Sequence, residues 1–315
     1  MNDYAIYAAH RLLQGIFIVL AITAILFAIL HMMPGDPIQL INNPRLGPEA
    51  IAKLHAKWGL DKPAVVQYFY WLGNLLRGEM GHSITNGQSV TVLLASRLPF
   101  TLQITLTALV LQYLIAVPLG LIAGYHQGSI FDKTAVVVTS ILRAIPYFWL
   151  GIILIIFFSV YLRLLPISGY RGWQSLIMPV LTLTLPSLAD TLRLTRSEVL
   201  EVMREKHVTT AIAKGLGLKL VILRHILRNA LVPVTVMFFL SVPWLIGGSV
   251  ITETIFAWPG MGRLLWKAIS AQDFPVVQGI VLIISILTVV STTIGDILTA
   301  VLDPRIRTEL GGKTL

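Results

Sequence analysis

The chain has no cysteine and little charge. Of 315 residues only 12% are Asp, Glu, Lys or Arg, while 56% are hydrophobic and the mean hydropathy is +0.79. The missing cysteine excludes disulfides, thiolate metal sites and a cysteine nucleophile, and leaves the redox compartment undecided. The missing charge excludes a soluble domain of this length, which needs far more polar cover. Catalytic signatures are also lacking. No G-x-x-x-x-G-K-[ST] is present to cradle a nucleotide phosphate, no H-E-x-x-H to hold zinc, and no G-x-S-x-G nucleophile elbow. The histidines are scattered: a ligand set among His31, His55, His82, His126, His207 and His225 would have to reach across both sides of a membrane. No metal, no cofactor and no catalytic residue is expected in this chain.

What the sequence does hold is long apolar runs. They lie at about 12–33, 98–125, 134–162, 176–194, 230–256 and 275–301. Each has about 20 or more mostly apolar residues, enough for a hydrocarbon core of about 30 Å. The expected fold class is therefore all-α, a polytopic membrane protein with six transmembrane helices in a single domain over 1–315. The first run is too long for a signal-peptide core and is read as a retained span. Pro118, Pro146, Pro186 and Pro243 punctuate the runs, as kinked membrane helices tolerate. Residues 34–97 form a long polar excursion, read as a small extracytoplasmic cap. Within it 48–59 has Ile51, Leu54 and Trp58 at helical spacing, and 63–81 has Val65, Phe69, Leu72 and Leu76. Tyr68, Tyr70 and Trp71 suit either an interfacial aromatic belt or simple packing.

The net charge of +9 is a topology and lipid signal here, with no nucleic acid implied. Six spans put both termini on one side. That side, with the 126–133 and 193–229 loops, carries thirteen Lys/Arg, against four in the short loops opposite. The positive-inside rule makes it cytoplasmic. Arg143 falls inside the third run, and Asp190, Glu253 and Asp296 fall toward the ends of later ones. A charge at the bilayer centre costs about 2.5–3.5 kcal/mol on insertion scales. These groups form either a polar path or interhelical pairs, such as Arg143 with Asp190.

The longest charged stretch between two runs is 204–233. It reads as two short helices broken at Gly217. Val208, Ala211, Ile212 and Gly215 share one face of the first, and Leu223, Ile226, Leu227 and Ala230 share one face of the second. Arg224 and Arg228, like His225 and Asn229, sit four apart on the flanks. A basic helix of this kind lies on anionic lipid or docks on a partner. The small residues Ala211 and Gly215 favour docking, because they let another backbone approach. With Gly215 at the end of the helical face, Gly215→Ala is expected to favour the helix by about 1 kcal/mol.

The same stretch resembles the cytoplasmic loop of inner-membrane permeases of bacterial ABC importers. TAIAKGL followed by RHILRNALVPV is similar to the B-type permease of the dipeptide, oligopeptide and nickel uptake group. PGDP (34–37), WGLDKP (58–63), GEMGHS (78–83), RLPFTL (97–102), TETIFAWPGMGRL (252–264), DFPVVQG (273–279) and LDPRIR (302–307) stand in the order of that group. One departure is the Glu-Ala-Ala triplet of the general importer loop, replaced here by Thr209-Thr210-Ala211, so its acidic contact does not carry over. The resemblance implies a type I importer transmembrane domain with an ATPase-coupling set of Val208, Thr209, Thr210, Ala211, Ile212, Lys214, Gly215, His225, Arg228 and Asn229. It implies a binding-protein docking turn at Trp258, Pro259, Gly260 and Gly262, and a pathway or pairing role for Arg143, Asp190 and Glu253. The implied partners are a second homologous permease, two ATPase subunits that hold the ATP and magnesium, an extracytoplasmic substrate-binding protein and membrane lipid. The implied location is a bacterial or archaeal inner membrane, and the implied cargo a peptide or, alternatively, nickel or another metal chelate or opine. A stand-alone secondary transporter is the competing class; it has no need of a docking loop and should show inverted repeats, which the sequence lacks.

Overall fold

The computed structural model describes residues 2–32 and 62–302. The motifs at 34–37 and 303–307, most of WGLDKP and the helix expected over 48–59 lie outside the described residues. In chain order the helices are α1 (Asn2–Met32), α2 (Ala64–Leu76), α3 (Val90–Tyr125), α4 (Ile130–Ala144), α5 (Tyr147–Leu154), α6 (Gln174–Met203), α7 (Lys206–Ala213), α8 (Leu218–Leu220), α9 (Arg228–Ile255), α10 (Met261–Ser270) and α11 (Phe274–Leu302). π-helical turns extend α5 over Ile155–Tyr161 and join α8 to α9 over Val221–Leu227. Among the described residues the only extended pairing is the single bridge between His82 and Ser89.

Among the described residues five helices are long and apolar enough to cross a membrane. The third expected span is instead a bent pair: α4 and the α5 segment meet at 97°. Pro146 causes the break. It has no N–H to continue the helix, and it pushes Ile145 to extended backbone at ψ 121°. Pro118, Pro186 and Pro243 stay inside continuous helices.

Helix directions follow from who touches whom. The Thr184 hydroxyl bonds to Ala108 O, Gln112 Nε2 donates to Ser187 O and Thr191 Oγ1, and Gly124 faces Arg196 and Val199. Sequence numbers rise together, so α3 and α6 run parallel. The bent pair between them must return the chain across the bundle once, which makes six crossings. Tyr113 meets Ser241 and Thr101 meets Glu253, so α9 runs against α3. Gly15 packs on Val289 and Arg11 pairs with Asp296 at 3.2 Å, so α1 runs against α11. The beginning of α1, the end of α11 and α7 all lie at one end of the bundle.

The α3–α6 contact is the closest. Ala116, Gly120 and Gly124 are buried at four-residue spacing on α3. A Cβ on Gly120 would lie 2.7 Å from Thr195 Cβ and 2.8 Å from Leu192 O. Small residues at this spacing let membrane helices pack backbone to backbone. Hydroxyls are compatible with such contacts because they return their hydrogen bond to their own helix: Thr195 Oγ1 donates to Thr191 O at 2.8 Å. At the end of this seam that adjoins α7, Asp132 accepts a two-pronged bond from Arg196 and a 2.9 Å bond from Gly128 N–H, tying α4 to α6.

One expected element differs. The span at 176–194 runs on to Met203, so Asp190 sits near the middle of α6 rather than at its end. On α2 the apolar positions Val65 and Phe69 are more than 60% exposed. The helix instead lies on α1 through Tyr68, whose hydroxyl reaches Thr23 at 3.2 Å, and Gln67, 3.0 Å from His31. The face is decided by polar anchors on α1 that the periodicity of α2 does not record.

The seam makes a measurable demand. Gly120→Ala should destabilise the bundle by about 1–3 kcal/mol through overpacking, seen as a lower melting temperature of the purified protein. Gly247→Ala, at a glycine with nothing within 4 Å of its missing Cβ, should be tolerated. Equal stability of the two variants would refute the close seam.

Candidate functional site

At the end of the bundle that holds both helical termini, α7 lies across the feet of α6 and α9. Its first turn begins at Glu205, whose carboxylate Oε2 is 2.8 Å from His207 Nδ1. With that nitrogen protonated, His207 Nε2 accepts from Asn229 Nδ2 at 3.0 Å, and the same amide donates to His225 O at 3.0 Å. Below this latch Val208 and Ala211 pack with Val199, Val202, Val221, Ile226 and Ala230 in one apolar cluster. The helix is thus fixed to both of its neighbours by packing and by a polar clasp.

The residues of the expected coupling face divide between buried and exposed positions. Val208 and Ala211 are buried in their own chain, so neither is free to meet a partner. Thr209, Thr210, Ile212, Lys214 and Gly215 remain exposed. The second half differs too. It is no separate helix but the foot of a 38-residue helix, Leu218–Ile255. Its π-helical turns lengthen the repeat, so Val221, Ile226 and Ala230 face inward and Leu223 faces outward. His225 is half-buried at the latch, while Arg228 and Asn229 are exposed. His207, absent from the expected set, is the residue that joins the two halves; Glu205 two positions before it was the signal available in sequence.

Gly215 also changes role. It lies beyond α7 at φ +75°, with its N–H on Ile212 O at 2.9 Å and Leu216 N–H on Ala211 O at 3.3 Å. These are the paired bonds of a Schellman cap, in which a left-handed residue ends the helix and satisfies its last carbonyls. An alanine there destabilises the cap rather than favouring the helix, because a Cβ disfavours positive φ.

At the opposite end two clamps pair four of the sequence motifs. In the first, Glu253 of α9, fully buried, accepts from Thr101 Oγ1 at 2.6 Å and from Arg263 N–H at 3.0 Å. Thr101 Oγ1 in turn accepts from Met261 N–H at 2.8 Å. The carboxylate thereby caps the first turn of α10, where unpaired N–H groups favour negative charge. In the second, buried Asp273 accepts from Ile84 N–H at 3.0 Å, Thr85 Oγ1 at 2.8 Å and Ser83 Oγ. RLPFTL therefore meets TETIFAWPGMGRL, and GEMGHS meets DFPVVQG.

The expected docking turn packs against the first clamp. Trp258, Gly260 and Gly262 are buried, and Pro259 partly so. Trp258 Nε1 donates to Phe100 O at 2.9 Å, and its ring stacks edge-on to Phe100 and Tyr170. The two glycines are required by the carboxylate: a Cβ on Gly260 would collide with Glu253, and one on Gly262 would lie 2.6 Å from Val250 Cα. Glu253 accordingly anchors the turn to α3 and α10.

In mid-bundle Arg143 ends α4 at the bend, and its Nη2 lies 3.4 Å from Asp190 Oδ2 of α6. Both side chains are more than 40% exposed. One turn further along α6, Arg193 Nη2 donates to Ser140 Oγ at 2.5 Å. The face shared by α4 and α6 thus presents three charges midway along the bundle, where a lone chain leaves them open. Among the described residues no group of three metal-ligating side chains occurs.

The clamp carries a stability prediction. Glu253→Ala leaves buried donors unpaired at about 1–3 kcal/mol each, and Gly260→Ala drives a methyl into the carboxylate. Thermal unfolding should show both variants destabilised, and Gly260→Ala should cost much less in a Glu253→Ala background. Additive effects would contradict direct contact.

Comparison with known proteins fits these elements. The family described as "Binding-protein-dependent transport system inner membrane component" matches residues 116–308, and "Binding-prot-dependent transport system membrane comp, N-term" matches 5–105. The chain is 38% identical over 313 residues to the oligopeptide transport system permease protein AppB of Bacillus subtilis (strain 168), covering 96% of this chain and 99% of that protein. It is 36% identical over 320 residues to the dipeptide transport system permease protein DppB of Escherichia coli (strain K12), covering 91% and 94%. Among solved structures, a chain of the MetNI methionine ABC transporter in an inward-facing conformation shares the fold with a TM-score of 0.55 at 19% identity, over 67% of this chain and 96% of that one. With a six-crossing helical bundle, matched over most of its length by both family models and by full-length relatives, this chain belongs to the binding-protein-dependent transport system inner membrane component family, as a permease subunit of an ABC importer.

Proposed function

We propose that the chain forms half of a peptide import path, driven by two ATPase subunits docked at the α7 end and supplied by a binding protein at the clamp end. The other half is a second, homologous permease. Peptide as cargo rests on the relatives, whose printed names are oligopeptide and dipeptide permeases. The observation that carries the mechanism is the attachment of α7. Its buried face and the His207 latch bind it to a 38-residue helix that ends at the Glu253 clamp. A push on α7 therefore displaces a rigid element that crosses the membrane, as alternating access requires. The exposed contacts for the ATPase are Thr209, Thr210, Ile212, Lys214 and Gly215, with Arg228 and Asn229 beside them. The α7 end is cytoplasmic by its excess of Lys and Arg. Arg143, Asp190 and Arg193 face the water-filled path or the second permease, since charges at this depth are not left to lipid.

The coupling role separates from a lipid-surface role by three variants. Asparagine tolerates left-handed backbone better than other residues with a Cβ. Gly215→Asn should keep ATPase co-purification and peptide uptake, whereas Gly215→Leu should insert normally but lose uptake or hydrolyse ATP without it. Lys219→Ala/Arg224→Ala, which removes lipid-facing charge, should keep uptake. Greater loss in the double variant than in Gly215→Leu would favour the lipid reading and defeat docking.

Orientation and path are read by single cysteines, for which the cysteine-free chain is a clean background. In intact spheroplasts an impermeant thiol reagent should label a cysteine at Lys62 and spare one at Lys219. A cysteine at Arg143 should be labelled in opened membranes. The reverse labelling of Lys62 and Lys219 would invert the topology, and protection of the Arg143 position in the isolated permease would remove it from the path.

A further inference from the structure

Beside the two clamps lies an open cavity of about 360 Å³. Three cations converge on it: Arg97 from α3, and Arg263 and Lys267 from α10. Arg97 Nη1 donates to Pro259 O at 3.3 Å, and Arg263 Nη1 to Ala257 O at 2.7 Å. Those bonds hold the two guanidinium groups in place and leave their other N–H groups for a ligand. Lys267 is exposed and has no hydrogen-bond or ion-pair partner among the described residues. The one acid in the lining, Asp273, is already saturated by the hydroxyls and N–H groups of residues 83–85. The cavity is therefore cationic, concave and rigid, with its walls fixed by two buried carboxylates.

We propose that this cavity receives carboxylate side chains of the substrate-binding protein. The inference rests on the orientation given above, which places the clamp end outside. Guanidinium groups match carboxylates by planar, two-pronged bonds. Lipid phosphates are the weaker fit. Cations that serve lipid extend outward from a helix surface toward the headgroups, whereas these three point into one hollow shared by α3, α10 and the 83–88 turn. Their position also runs against the topology signal, which thins out Lys and Arg on this side. The cavity adjoins the caps of α10 and α11, so an occupant bears on the helices that the clamps bind together.

The test uses the assembled transporter in phosphatidylcholine nanodiscs and a substrate-binding protein that delivers peptide to it. Lys267→Glu, at an exposed residue outside the clamps, should raise the Kd of the binding protein about tenfold through charge reversal, mostly by slowing association. Lys267→Arg should leave it unchanged, and wild-type affinity should fall as salt rises. One Glu→Lys or Asp→Lys change on the binding protein should restore binding to Lys267→Glu. Equal affinity of wild type and Lys267→Glu overturns the proposal. So does a Lys267 effect that appears only when phosphatidylglycerol is added, which would mark a lipid site. ATPase co-purification, followed in parallel, should be the same in all variants. Its loss in the wild type would defeat the coupling mechanism and leave the affinity comparison intact.

Discussion

The parallel contact of α3 and α6 is the constraint on which the rest depends. Gly120 and Gly124 bring the two backbones so close that no side chain fits between them. Lipid tails are as apolar as leucine, so burial alone does not drive membrane helices together; close packing and internal hydrogen bonds do. Because these helices run parallel, the chain between them must cross back, and it does so as a proline-broken pair. That break places Arg143 at a bend beside Asp190, midway along the bundle. The charged face midway along the bundle is thus a consequence of how the seam is closed.

The two ends of the bundle are built to different rules. At the clamp end, the buried carboxylate of Glu253 caps the start of α10 and that of Asp273 holds the 83–85 turn, each tying segments more than 150 residues apart. At the α7 end, apolar packing and a histidine–asparagine clasp hold a short helix whose outer face is left open. A fully satisfied carboxylate in a dry site is rigid, since loss of any partner strands a charge. A short helix seated on valines and alanine moves with its support as one body. The Leu218–Ile255 helix joins the two ends, and its π-helical foot absorbs the extra residue that seats α7.

Much of this was legible in residue order. The apolar runs specified helices that cross a membrane, and the alternation of Lys and Arg among loops implied which ends share a side. The motif order specified the family. Pairing information was harder to read. The resemblance implies a docking turn in TETIFAWPGMGRL, and in the fold Trp258 and both glycines of that turn are inside, because Glu253 bonds back to the turn. Periodicity likewise put Val65 and Phe69 of α2 on one apolar face, which is exposed. It measures contrast within a helix, and in a membrane the apolar face also suits lipid.

The sequence by itself determined what each segment can do alone: which stretches enter a bilayer and where proline breaks a helix. Such properties depend on local chemistry and on transfer to a uniform solvent. Only the tertiary structure decided which faces remain available. Ala211 and Trp258 are turned inward, Thr209 and Ile212 outward, and Arg97, Arg263 and Lys267 meet across a cavity. Those outcomes depend on contacts between residues far apart in the chain, and on a cap at Gly215 whose left-handed backbone a helical repeat does not encode.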